Sequence, residues 1–98
     1  MAPKLSLQNM QDVRREKVEH YQTELSKLLA ARHEMEKRLV SVKAFQRDLL
    51  DQLREAQYGE IDLSKVSLLR AHILQLNSYI ENISLDLARL NHQVKKAA

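Results

Sequence analysis

Cysteine and tryptophan are absent from this chain of 98 residues, which also contains only one glycine and one proline. Without cysteine there is no disulfide, no thiolate metal site and no cysteine nucleophile. One glycine cannot build a Gly-rich phosphate-binding loop, and so few turn residues do not suit the many short turns of an all-β or α/β fold. The scarcity of turn residues therefore favours a few long helices.

No part of the chain concentrates charge of one sign. The 16 basic and 13 acidic residues give a net charge of +3, with an excess of one positive charge in each of residues 1–20, 21–58 and 59–98. Nucleic-acid-binding proteins normally carry a concentrated basic face, so we expect no nucleic-acid partner. No apolar run resembles a secretory signal or a membrane span, so we expect a cytoplasmic protein without direct membrane insertion.

The first half of the chain has the apolar periodicity of one long helix. Apolar residues recur at alternating steps of three and four, and we call this series the seam. The seam consists of Val18, Tyr21, Leu25, Leu28, Met35, Leu39, Val42, Leu49, Leu53 and Ala56. Pro3 suits only the first turn of a helix or the segment before it, so the pattern predicts helix 1 over about residues 6–57.

Arg32 and Gln46 are polar residues at seam positions of helix 1. A polar residue in a coiled-coil core often fixes the register of the helices at some cost in stability. They could instead form a functional polar site, but we favour the register interpretation.

A turn over residues 58–62 separates this helix from a second one. Gly59 can adopt a left-handed backbone, and Asp62 or Ser64 can cap the following helix. Helix 2, over about residues 63–96, has an uninterrupted seam made of Val66, Leu69, Ile73, Leu76, Ile80, Ile83, Leu87, Leu90, Val94 and Ala97. Two such helices joined by a short turn predict an all-α fold, a two-helix antiparallel coiled-coil hairpin with unequal arms in one domain over residues 1–98.

Helix 1 is predicted to be longer than helix 2, so residues 5 to about 20 extend beyond the paired region as an overhang. Its apolar and basic residues include Leu7, Met10, Val13, Arg14, Arg15, Lys17 and Val18. Either the second helix continues in a longer chain and covers this overhang, or the overhang pairs with another chain.

No catalytic or metal-binding arrangement is evident. His33 is not followed four residues later by the second histidine that a zinc-binding helix requires. The other histidines, His20, His72 and His92, are dispersed, and we interpret all four as surface residues. We therefore expect a protein without enzymatic activity, cofactor or metal.

Helix 2 also carries apolar residues away from its seam. Leu68, Leu74 and Leu85, with His72 and Tyr79 nearby, form either a partner-binding surface or scattered apolar exposure.

Several of these features resemble the flagellar type III export protein FliJ family. They are Leu7 and Met10 at the start, Phe45-Gln46 late in the first helix, the Gly59-Glu60-Ile61 reversal and the stretch from Ile73 to Ile80. The whole chain is similar to the N-terminal two-thirds of that family, whose members are soluble antiparallel coiled coils.

The resemblance implies a stalk, similar to the γ subunit of rotary ATPases, which enters the export ATPase ring and promotes its assembly and activity. It also implies binding to the export gate membrane protein, cycling of export chaperones, and a cytoplasmic location peripheral to the inner membrane export apparatus. The residues that correspond to the ATPase-binding arm are Leu7, Met10, Arg14, Arg15 and Val18, and those that correspond to the gate-binding surface are His72, Leu76, Tyr79 and Ile83.

The chain departs from that pattern in two ways. Members of the family are usually about half as long again, and the gate-binding surface usually has an aromatic residue where His72 stands. In addition, Leu76 and Ile83 are seam residues, whose presence packing alone explains. The competing hypothesis is a structural coiled-coil subunit that oligomerises through its overhanging first helix.

Overall fold

The chain folds into two antiparallel helices that form one long rod. The computed structural model describes the backbone of residues 2–98 and the side chains of residues 9–98. Helix α1 is Ala2–Glu55 and helix α2 is Leu63–Ala97, and they pack against each other over the length of α2. The rod measures 90 × 17 × 15 Å, and its radius of gyration is 24.5 Å, compared with about 13 Å for a compact globule of this length. The predicted all-α hairpin with unequal arms is confirmed.

Helix α1 begins at Ala2 rather than near residue 6, and it ends at Glu55 rather than Gln57. Pro3 does not delay the start, because the backbone N–H that proline lacks would be unbonded in the first turn. At the other end, the Gln57 amide donates to the carbonyl of Arg54 at 3.3 Å. This tighter three-residue spacing ends the α-helix.

The turn contains the two local features that reverse the chain. Gly59 has a φ of +75°, in the left-handed region where only glycine avoids a steric penalty. Asp62 caps α2, because its side-chain Oδ1 accepts hydrogen bonds from the backbone amides of Ser64 at 3.0 Å and Lys65 at 3.3 Å. Of the two candidate caps, the structure therefore selects Asp62, and Ser64 lies within the first turn of the helix.

The predicted seam is the contact between the helices. Every seam position from Leu25 to Ala56 and from Val66 to Ala97 is buried or half-buried. Among the side chains of residues 9–98, Asp86 is the one other residue that is not exposed. The most buried residues are Leu49 and Ile83, which are 5% and 4% exposed. Val18 and Tyr21 stay exposed, and Tyr21 lies beside the last turn of α2.

Among the described side chains, no ion pair links the two helices. Within residues 9–98, the three ion pairs join Lys27 to Glu24, Arg32 to Glu36, and Arg89 to Asp86, each within one helix. Pairs of this kind at an exposed surface contribute little to stability. The pairing of α1 with α2 therefore depends on the apolar seam and on the few polar contacts described below.

Candidate functional site

The hairpin has two distinct flanks, which run along the two sides of the seam. A residue that directly follows a seam residue lies on one flank, and a residue that directly precedes one lies on the other. In an antiparallel pair, equivalent flanks of the two helices meet. Phe45 and His72 both precede a seam residue, and their rings meet edge to face with centroids 5.4 Å apart. We call their side the Phe45 flank, and the opposite side, where Asn77 lies, the Asn77 flank.

The two polar seam residues both reach an asparagine on the Asn77 flank. Gln46 donates from Nε2 to Oδ1 of Asn77 and, at 3.3 Å, to the carbonyl of Ile73. Arg32 donates from Nη1 to Oδ1 of Asn91 at 3.5 Å, the outer limit for a hydrogen bond. The two contacts are two heptads apart on both helices, from residue 32 to 46 and from residue 77 to 91. A shift of the helices by one heptad would break both, so this geometry supports the register interpretation.

The overhang is an exposed helical arm. All side chains from Asn9 to Glu24 are exposed, including Arg14 and Arg15. Its large apolar residues are Met10, Val13, Val18 and Tyr21, which are between 49% and 58% exposed. Leu7, the remaining residue of the predicted ATPase-binding arm, lies outside the described side chains. Met10, Val13 and Val18 are thus left uncovered by α2, as the unequal arm lengths predict.

A shallow groove lies where the overhang joins the paired region. His20, Tyr21 and Glu24 of α1 form one wall, and the end of α2, from Gln93 to Ala97, forms the other, enclosing about 380 Å³. Tyr21 and Val18 therefore extend the α1 seam past the end of the paired region, and the next seam positions towards the N-terminus are the polar residues Arg14 and Gln11.

The four predicted gate-binding residues do not form one surface. His72 and Tyr79 are exposed on the Phe45 flank, one heptad apart. Leu76 is half-buried, and Ile83 is the most buried of these four at 4% exposure. Ile83 packs between the helices, so it cannot contact a partner while the hairpin is closed. For this residue the structure supports the packing role over the partner-binding role.

Phe45 is a surface residue that the sequence reasoning did not assign to a site. It is 46% exposed and stands against His72, which makes it part of the same surface as Tyr79. The signal in the sequence is its position directly before the seam residue Gln46, equivalent to that of His72 before Ile73.

Neither a metal-ligand cluster nor a membrane-spanning helix is found among the described residues. Side chains 9–98 contain no group of three His, Cys, Asp or Glu residues placed to hold a metal ion. Within the described part of the chain, neither helix has a stretch that is both long and apolar enough to cross a membrane.

Comparison of the chain with known proteins finds no matching family model, no matching curated protein and no matching solved structure. The candidate surfaces are therefore interpreted from their geometry and from the resemblance described above.

Proposed function

We propose that this chain is a cytoplasmic, non-catalytic coiled-coil stalk that regulates a flagellar type III export ATPase. The observation that carries the proposal is the helical overhang, in which Met10, Val13 and Val18 are exposed beside Arg14 and Arg15. The resemblance to the FliJ family supplies the identity of the partners, and the hairpin geometry is compatible with it.

The overhang is suited to insertion into a ring of subunits. It is a helix continuous with a narrow rod of 90 × 17 × 15 Å, and in the FliJ family the paired ends of the two long helices enter the ring. Met10 and Val18 supply apolar contact area, and Arg14 and Arg15 supply charge. In this proposal these residues, with Leu7, bind the ATPase ring.

The Phe45 flank is the proposed surface for the export gate membrane protein. His72 and Tyr79 are exposed there and would contact the gate, together with Phe45. Leu76 and Ile83 would act indirectly, by holding α2 against α1. Export chaperones complete the proposed set of partners.

The proposal is tested by measuring ATP hydrolysis by the cognate export ATPase with and without the purified chain. We expect stimulation by the unmodified chain and its loss in Val18→Glu. Leu85→Glu is the matched control, because Leu85 is 58% exposed and Val18 is 56% exposed, but Leu85 lies far from the overhang. If the unmodified chain neither binds nor stimulates the ATPase, the proposal is wrong.

The second candidate function is a structural subunit that oligomerises through the overhang. The same exposed apolar residues, Met10, Val13, Val18 and Tyr21, favour it, because two copies could cover them mutually. Light scattering distinguishes the candidates. A stable dimer or tetramer that Val18→Glu converts to monomer, combined with no effect on the ATPase, favours the structural role.

A further inference from the structure

Charge is even along the chain but uneven around the rod. Near the turn, in residues 40–55 and 63–77, the Asn77 flank carries four exposed cations and no acidic residue: Lys43, Arg47, Arg54 and Arg70. Over the same stretch the Phe45 flank carries one cation, Lys65, and two acidic residues, Asp48 and Glu55. None of the four cations takes part in the ion pairs found among side chains 9–98. The Asn77 flank is therefore predominantly basic near the turn, with the exposed carboxylates of Asp51 at its outer edge and Glu81 just beyond it on α2.

Exposed apolar residues are interspersed with these cations. Val40 and Leu50 of α1 are 69% and 43% exposed, and Leu63 and Leu74 of α2 are 76% and 65% exposed. Val40, Leu50 and Leu74 each directly follow a seam residue. Arg70 also follows one, and Leu63 lies one heptad before Arg70, so it shares the same side of α2. All four therefore lie on the Asn77 flank. Leu50 and Leu63 stand next to the groove between the two helices, and Val40 and Leu74 lie further out on the same side.

We infer that this groove binds an acidic amphipathic helix of another protein. Apolar residues of that helix would pack on Val40, Leu50, Leu63 and Leu74, in the way that helices commonly bind apolar grooves. Its Asp and Glu side chains would meet the four cations on the groove walls. The stretch of α1 from Val40 to Arg54 is about 21 Å long at about 1.5 Å per residue, which corresponds to about four turns of bound helix.

Two other kinds of partner fit this flank less well. A single-stranded nucleic acid needs aromatic side chains for base stacking, but Phe45 and Tyr79 are on the opposite flank. A flat bilayer would contact the outward-facing Val40, Leu63 and Leu74 but not Leu50, which is recessed beside the interface at 43% exposure. An acidic helix can instead contact both walls along its length.

This inference is independent of the proposed function. The groove lies on the flank opposite His72 and Tyr79, and it is at the turn end of the rod, far from the overhang. A partner bound there would leave both of those surfaces free.

The test uses the complete chain and a fluorescently labelled synthetic helix of about 16 residues, with leucine at alternating steps of three and four and glutamate at most other positions. Fluorescence anisotropy gives its affinity, which we expect to fall as salt is raised. Arg47→Glu combined with Arg70→Glu should weaken binding by roughly tenfold or more, because two attractive contacts become repulsive. Arg38→Glu with Lys65→Glu changes the net charge equally on the Phe45 flank and should have little effect.

A second pair of variants tests the apolar contribution. Leu74→Ser should weaken binding, whereas Leu68→Ser should not, although Leu68 is 72% exposed and also lies on α2, since it is on the Phe45 flank. Circular dichroism checks that each variant keeps its helices. The inference is overturned if the peptide does not bind, if a scrambled peptide binds equally well, or if both charge variants lose affinity equally. Tighter binding to phosphatidylserine vesicles or to oligothymidylate than to the peptide would also overturn it, in favour of a membrane or a nucleic acid.

Discussion

Replacing Gln46 with leucine tests whether this residue serves register rather than stability. Gln46 is a half-buried seam residue that donates hydrogen bonds to Asn77 and to the carbonyl of Ile73. Neither acceptor would be left buried and unsatisfied after the change. Asn77 is exposed to water, and the Ile73 carbonyl lies inside α2, where it accepts the intrahelical bond.

The expected magnitude follows from these contacts. Full burial of a leucine contributes about 1.5–3 kcal/mol, so a half-buried site should contribute about 1–1.5 kcal/mol. The loss of hydrogen bonds whose acceptors remain satisfied should cost about 0.5 kcal/mol, at the low end of the usual range. The net gain of about 0.5–1 kcal/mol should raise the Tm by about 2–8 °C for a domain of this size.

Thermal unfolding followed by circular dichroism measures this change. Gln46→Ala is the control, because it removes the same hydrogen bonds without adding apolar area and should lower the Tm. Light scattering on Gln46→Leu should also show additional oligomeric species, because an all-apolar seam no longer distinguishes one register from another. A clear fall in the Tm of Gln46→Leu would refute the assignment of residue 46 to a seam whose polar contacts are dispensable for stability.

Three further substitutions test the core, the cap and the turn. Ile83→Ala should lower the free energy of unfolding, measured by urea titration, by about 2–4 kcal/mol, because the side chain is almost completely buried. Leu85→Ala, at an exposed position, should change it by less than about 0.5 kcal/mol. Equal effects would contradict the assignment of Ile83 to the seam. Asp62→Ala should cost about 1 kcal/mol by removing the α2 cap, and Asp62→Asn should retain most of that stability in the same assay. Gly59→Ala should cost about 1 kcal/mol from the left-handed backbone alone, since nothing lies within 4 Å of the added methyl group; an unchanged Tm would mean that the turn adopts another conformation.

Most of the fold could be predicted because the seam is periodic. Alternating steps of three and four, the single glycine and the aspartate after it locate both helices and the turn. The sequence predicts the start of α1 a few residues too late. Proline is excluded from the interior of a helix but is tolerated in its first turn, so Pro3 alone does not locate the start. For the proposed site, the exposure of Met10 and Val18 followed from the unequal arm lengths. The role of Ile83 could not be settled from its identity, because a core residue and a docking residue are equally apolar.

The amino-acid sequence by itself determines the helical character of the chain, the position of its reversal and the residues that form the seam, because these depend on local preferences and on spacing within one helix. Only the tertiary structure decides which residues of α1 and α2 share a flank, because this depends on the direction and register in which the helices pair. That pairing joins Phe45 to His72, and it places Arg70 on the same side as Lys43, Arg47 and Arg54. Cations that are evenly distributed along the sequence are thus brought together on one side of the rod.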